Sequence, residues 1–138
     1  MFNKLNAADL TSLERQFEKS KPFQHIVIDN FFEEQFALKI ADEFPNHDDS
    51  IWTVAYDNPV EKKKACSHWD RFPPSIYNAM FNLCNNSFVN TLKTITQNHH
   101  LFADFGLHGG GMHSHNVGGK LNVHKDYSLH PKIPFMRN

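Results

Sequence analysis

The chain is short of cysteine, of net charge and of long apolar runs, and it has no glycine at all before Gly106. Its two cysteines, Cys66 and Cys84, fit no close-spaced metal or redox motif, so a reduced, cytoplasmic chain is the expectation. The net charge of -1 with neutral histidines argues against a nucleic-acid partner and against an acidic surface as a partner. The longest basic run, Lys62-Lys63-Lys64, reads as a solvated face. No stretch approaches the roughly 20 apolar residues of a membrane span, and Met1-Phe2-Asn3-Lys4-Leu5 lacks the apolar core of a signal peptide. A membrane role is therefore not expected.

What the chain does have is phenylalanine and histidine. Apolar residues make up 40% of the 138, and thirteen phenylalanines supply much of the bulk for one core. Histidine is in excess at ten residues. Half of the histidines lie from His108 to His130, a segment that also holds most of the glycine, and the composition thus shifts where chemistry is expected.

The periodicity gives helices first and sheet afterwards. Leu10, Leu13 and Phe17 predict an amphipathic helix over residues 7–19, ended by Pro22. His25-Ile26-Val27-Ile28-Asp29 predicts a short buried strand. A second helix is predicted near 33–44, with Phe36, Ile40 and Phe44 on its buried face and Pro45 closing it. Residues 52–56 predict a strand, Asp57-Asn58-Pro59 a turn, and residues 60–73 a polar loop. Ile76, Met80, Leu83, Cys84, Phe88, Leu92 and Ile95 predict a helical stretch divided at Asn85-Asn86-Ser87. From Leu101 onward strands and tight turns are expected. The whole reads as an α+β chain forming one domain over 1–138, with a mainly helical part over 1–100 and a strand-rich part over 101–138.

The sequence contains three His-x-Asp matches, against about 0.6 expected by chance from this composition. His47-Asp48-Asp49 falls in a polar turn, and His68-Trp69-Asp70 precedes Pro73-Pro74; neither has strand character around it. The third differs in context. Lys120 to Tyr127 alternates with a period of two broken only at Lys125, placing Leu121, Val123 and Tyr127 on one face and Asn122, His124 and Asp126 on the other. Residues two apart on a strand lie about 6.5–7 Å apart and point the same way, so an imidazole and a carboxylate can converge on one ion. The other reading is a half-exposed strand with a wet polar face. Gly109-Gly110-Gly111 and Gly118-Gly119 favour the first, because repeated glycines permit the tight turns and close backbone approach of a small barrel around a ligand. Two histidines and one carboxylate leave three adjacent positions open on a metal, an arrangement suited to Fe(II), although ligand type alone leaves Mn, Co, Ni and catalytic Zn possible.

From Pro22 onward the chain resembles the Fe(II)/2-oxoglutarate oxygenases, in particular their prolyl 4-hydroxylase-like branch. The residues that carry the resemblance are Pro22 to Phe32, Glu43-Phe44-Pro45, Leu107 to His113, Gly118 to Leu121 and His124 to Tyr127, in that order. The resemblance implies supporting helices followed by the first strands of a double-stranded β-helix, or jelly-roll. It implies His124 and Asp126 as the first two iron ligands, with 2-oxoglutarate as co-substrate and O2 as oxidant. His113 or His115 falls where relatives hydrogen-bond 2-oxoglutarate, and Asn122 shares the ligand face. The distal His of the family, and the Arg or Lys that grips the far carboxylate of 2-oxoglutarate, lie several tens of residues beyond the pair. The resemblance therefore covers the N-terminal part of the domain and implies an incomplete site. Arg137 resembles the residue that opens the next family strand. The substrate would be a peptide or a small molecule, with peptidyl proline favoured, and the hydroxylation would need no acid/base dyad.

Two other readings remain. A cupin-like metal site would use His113, His115 and His124, since Gly111-Met112-His113-Ser114-His115 has the His-x-His shape, but no Glu follows Glu61 as a cupin would require. The chain could also be an inactive, interacting module of the oxygenase fold. Trp52, Tyr56 and Trp69 are candidates for a substrate groove or for packing, Tyr127 for packing, and His108 and His130 for loop positions.

Overall fold

A computed structural model describes residues 3, 5–126 and 129–132. It is α+β: four α-helices, a short 3-10 turn and a four-stranded antiparallel sheet. Contacts divide the chain into two compact units, one from Met1–Phe44 with Pro73–Phe105 and one from Pro45–Phe72 with Gly106–Asn138, each through its described residues. Tyr127 and Arg137 lie outside those residues.

The first unit is helical. Helix α1 (Ala7–Lys19) starts at a capping box, in which the Asn6 side chain accepts from the amides of Ala8 and Asp9 while the Asp9 carboxylate accepts from the Asn6 amide. Leu13 is its buried residue, and the helix packs against α4 (Asn86–Thr96). Helix α2 (Glu34–Glu43) packs on α3 (Pro74–Cys84); Phe36 and Ile40 are half-buried, whereas Phe44 is exposed. Asn85 ends α3 and caps α4, its side chain accepting from the Phe88 amide, so one short polar residue makes the predicted division. Helix α4 ends at Gln97 in the left-handed region, and the Gln97 amide donates to Glu14 of α1 at 2.7 Å. Ile76, Ala79, Val89 and Ile95 join Leu13 in the core of this unit.

Residues 25–29 do not form the predicted strand. Ile26 and Ile28 are half-buried, but Val27 is 69% exposed and the segment has no ladder partner among the described residues. A β-branched run becomes a strand only where a second strand meets its backbone donors and acceptors.

The second unit holds the sheet. Strand β1 (Val54–Asp57) and β2 (Glu61–Cys66) form a hairpin whose turn is organised by Asn58, which accepts from the amides of Val60 and Glu61. The expectation of a polar loop over 60–73 is therefore corrected: its first part is the central strand, and Trp69–Arg71 is a 3-10 turn. The lysine run hid it, because consecutive lysines carry no alternating apolar signal. Nor are those lysines simply a solvated face. The Lys62 side chain is 53% exposed, Lys64 is 29% exposed, and Lys63 is only 11% exposed, paired with Glu61 at 3.1 Å and lying over the Tyr56 ring.

Strands β3 (Met112–Ser114) and β4 (Lys120–Leu121) both pair antiparallel with β2 on its other side. Ser114 opposes Lys64 and Lys120 opposes Lys62, so residues 115–119 form a loop standing against the single position Lys63. The glycines serve this geometry. Gly111 has φ +106°, and a Cβ there would lie 2.3 Å from the Cys66 carbonyl oxygen. Gly119 donates to the Asn116 carbonyl at 2.7 Å, in a turn where a Cβ would come within 2.8 Å of that same oxygen.

The strand predicted over 120–127 is likewise shortened. After Leu121 the Asn122 amide still donates to the Val60 carbonyl, but Val123 is 105% exposed and no strand continues to Asp126. The reason lies in β2, which begins at Glu61: residues past Asn122 would oppose the turn at Asn58 and Pro59, and proline has no amide proton to give. Alternation without a partner strand did not bury one face. Among the described residues no helix is long and apolar enough to cross a membrane.

Candidate metal centre

His124 and Asp126 lie just beyond β4 in the sheet unit. Their side chains meet, with His124 Nε2 3.1 Å from Asp126 Oδ1. The other ring nitrogen, Nδ1, is 2.7 Å from the Asn122 carbonyl oxygen. A carbonyl oxygen can only accept, so Nδ1 carries the proton in that contact. In the neutral ring Nε2 is then a bare lone pair facing a carboxylate. Two acceptors at this separation require a proton or a cation between them.

The spacing suits a cation. Two ligand atoms each about 2.1 Å from a metal and set at right angles to it are about 3 Å apart. The Asn122 carbonyl acts as an orienting partner, fixing the tautomer and the ring plane of His124. Asn122 thus contributes through its backbone; its side-chain amide lies 3.4 Å from the Pro59 carbonyl. The pair is open to solvent, with the His124 side chain 43% and the Asp126 side chain 74% exposed. Among the described residues no third His, Cys, Asp or Glu joins it within ligating reach.

The other candidate histidines do not join this pair within ligating reach among the described residues. His113 sits on β3 opposite Ala65, and His115 follows the end of that strand. Among the described residues, the ligating atoms of His113, His115 and His124 do not come within 4.8 Å of one another as a group. Burial of part of the His113 ring lowers its pKa below the ordinary 6.5, helped by Lys63 and His115, while the Gly110 backbone and Glu61 oppose the shift. The lowered pKa favours the neutral ring, in which one nitrogen can accept a hydrogen bond. His108 and His130 meet edge to face, with ring centroids 4.5 Å apart. Sequence spacing offered no signal for that contact.

The two rejected His-x-Asp matches have structural work. His47 Nδ1 lies 3.0 Å from Ser114 Oγ, and Asp49 accepts from the Asn46 amide in a tight turn. His68 leads into the 3-10 turn. Of the candidate groove aromatics, Trp52 donates to the Asn46 carbonyl, Trp69 packs on Phe72, and Tyr56 borders a cleft over the sheet. Compared with protein-family models, curated proteins and solved structures, the chain matches none.

Proposed function

We propose that this chain carries the first part of an Fe(II)- and 2-oxoglutarate-dependent oxygenase domain, with His124 and Asp126 as two of the iron ligands. The observation that carries the reading is the His124–Asp126 approach at 3.1 Å, with the ring tautomer set by the Asn122 carbonyl. The ordered resemblance from Pro22 to Tyr127 supports it, and on this reading β3 and β4 begin a double-stranded β-helix. Iron held there would supply oxygen activation coupled to oxidative decarboxylation of 2-oxoglutarate, ending in hydroxylation of a C–H bond in a peptide or small molecule. The chain's own residues do the positioning: Asn122 holds the imidazole, His124 offers Nε2, and Asp126 offers one oxygen and a negative charge. A neutral His113 on β3 is a candidate acceptor beside the co-substrate, with His115 as the alternative.

Anaerobic calorimetric titration with Fe(II) tests the proposal. Asp126→Ala and His124→Ala should each weaken binding roughly tenfold or more, while the double variant His113→Ala/His115→Ala should leave it nearly unchanged. Loss of binding in His113→Ala/His115→Ala and in His124→Ala, with Asp126→Ala nearly unaffected, would replace this reading with the cupin-like site.

A further inference from the structure

The face of the sheet that carries Lys62, Lys64 and Ser114 borders a cleft whose lining does not include His124 or Asp126. A cleft of about 150 Å³ opens there, lined by His47, Asp57, Lys62, Lys64, Asn116 and Gly119 among others. Drug-sized ligands occupy roughly 300–1,000 Å³. Space here is instead about five times the roughly 30 Å³ that a water molecule takes in the liquid, enough for a compact anionic group.

The charges around the cleft are unevenly matched. In the β2–β4 ladder Lys62 stands directly opposite Lys120, and like charges so placed are destabilising. Asp57, opposite Lys62 on the β1 side, pairs with it at 3.6 Å. Lys64 pairs with Asp48 at 3.8 Å, whose side chain is 92% exposed, so that pair is weak. The donors are nevertheless held in place. Lys64 Nζ donates to the His47 carbonyl at 2.7 Å, and the His47 ring is tied through Nδ1 to Ser114 Oγ. The Asn116 carboxamide oxygen accepts from the Val117 amide, so what Asn116 has left to offer is its NH2. His47 Nε2 is a further donor in the tautomer whose Nδ1 accepts from the Ser114 hydroxyl.

We propose that this cleft binds a compact oxyanion, the phosphate or carboxylate group of a small molecule. Lys62 and Lys64 supply the charge, and Asn116 and His47 supply directed hydrogen bonds. An anion between the lysines also relieves the repulsion of Lys62 and Lys120. The site uses neither His124 nor Asp126 and stands whether or not the iron reading holds.

The test is titration calorimetry of the full chain at low ionic strength with inorganic phosphate in one arm and succinate in the other. At least one anion should bind, and Lys62→Gln and Lys64→Gln should each weaken that binding at least tenfold, as loss of a charge-assisted hydrogen bond would. Lys19→Gln on α1, which removes the same charge far along the chain from the cleft residues, should change nothing, and neither should His124→Ala. The preferred anion assigns the group as phosphate or carboxylate. If circular dichroism shows that Lys64→Gln disturbs the sheet, the more exposed Lys62 carries the test alone. Failure of both anions to bind, or an equal loss in Lys19→Gln, would overturn the proposal.

Discussion

At the scale of single residues, the surroundings of a side chain decide whether it does chemistry or holds structure. His47 and His124 both open a His-x-Asp match, yet the His47 ring is tied through Nδ1 to the Ser114 side chain and the His124 ring to the Asn122 carbonyl. Glu43 shows how a helix can be capped from outside. Pro73 at the N-cap of α3 offers no side-chain acceptor, and the Glu43 carboxylate accepts from the Ser75 amide at 2.8 Å instead. That bond is the main reason its pKa falls below the ordinary 4.5. A carboxylate with a lowered folded pKa stabilises the fold above its unfolded pKa, and the contribution is lost as pH falls through the folded value. Glu43→Gln should therefore lower the melting temperature at neutral pH and leave it unchanged in acid below that window. An equal loss at both pH values would contradict the account. His113 works in the opposite charge sense: because its folded pKa is depressed, the unfolded chain takes up a proton first as pH falls below 6.5. Stability should decline from there down to the folded pKa and then level off. A melting curve series should show that this decline is reduced in His113→Gln.

At the scale of elements, helices were legible and the central strand was not. Leu10, Leu13 and Phe17 marked α1, and the Asn85 cluster marked the break between α3 and α4, because helical spacing and a capping residue are local signals. Strand β2 was hidden by Lys62-Lys63-Lys64, whose burial depends on partners outside the run that periodicity does not show: Glu61 and Tyr56 for Lys63, the His47 carbonyl for Lys64. The same non-locality made 25–29 and 123–126 look like strands that no partner completes among the described residues. The glycine block serves close backbone approach and turn conformation at particular positions. Gly111 and Gly118 separate the two. At Gly118, with φ +79° and nothing within 4 Å, alanine meets only backbone strain, about 1–2 kcal/mol. At Gly111 the added methyl also strikes the Cys66 carbonyl, so Gly111→Ala should cost more than Gly118→Ala in urea denaturation. Equal costs would mean that β2 and β3 separate without penalty.

For the molecule as a whole, the α+β class followed from helical periodicity giving way to turns and strands, but its division into two units did not. The sheet unit joins Pro45–Phe72 to Gly106–Asn138 across an intervening helical stretch, and nothing in composition announces such an interleaving. The candidate site was legible because both its residues sit within three positions of one another; the role of the Asn122 carbonyl was not, since every residue carries one. The central claim is that His124 and Asp126 form the metal-binding pair of this chain. Paramagnetic line broadening of the 1H–15N NMR spectrum by substoichiometric Mn(II), which accepts the same nitrogen and oxygen ligands, tests it most directly. The account predicts that resonances from Asn122 to Asp126, including the His124 ring, broaden first and that Asp126→Ala abolishes the effect. Broadening centred on His113 and His115, with Asn122 to Asp126 untouched, would contradict it.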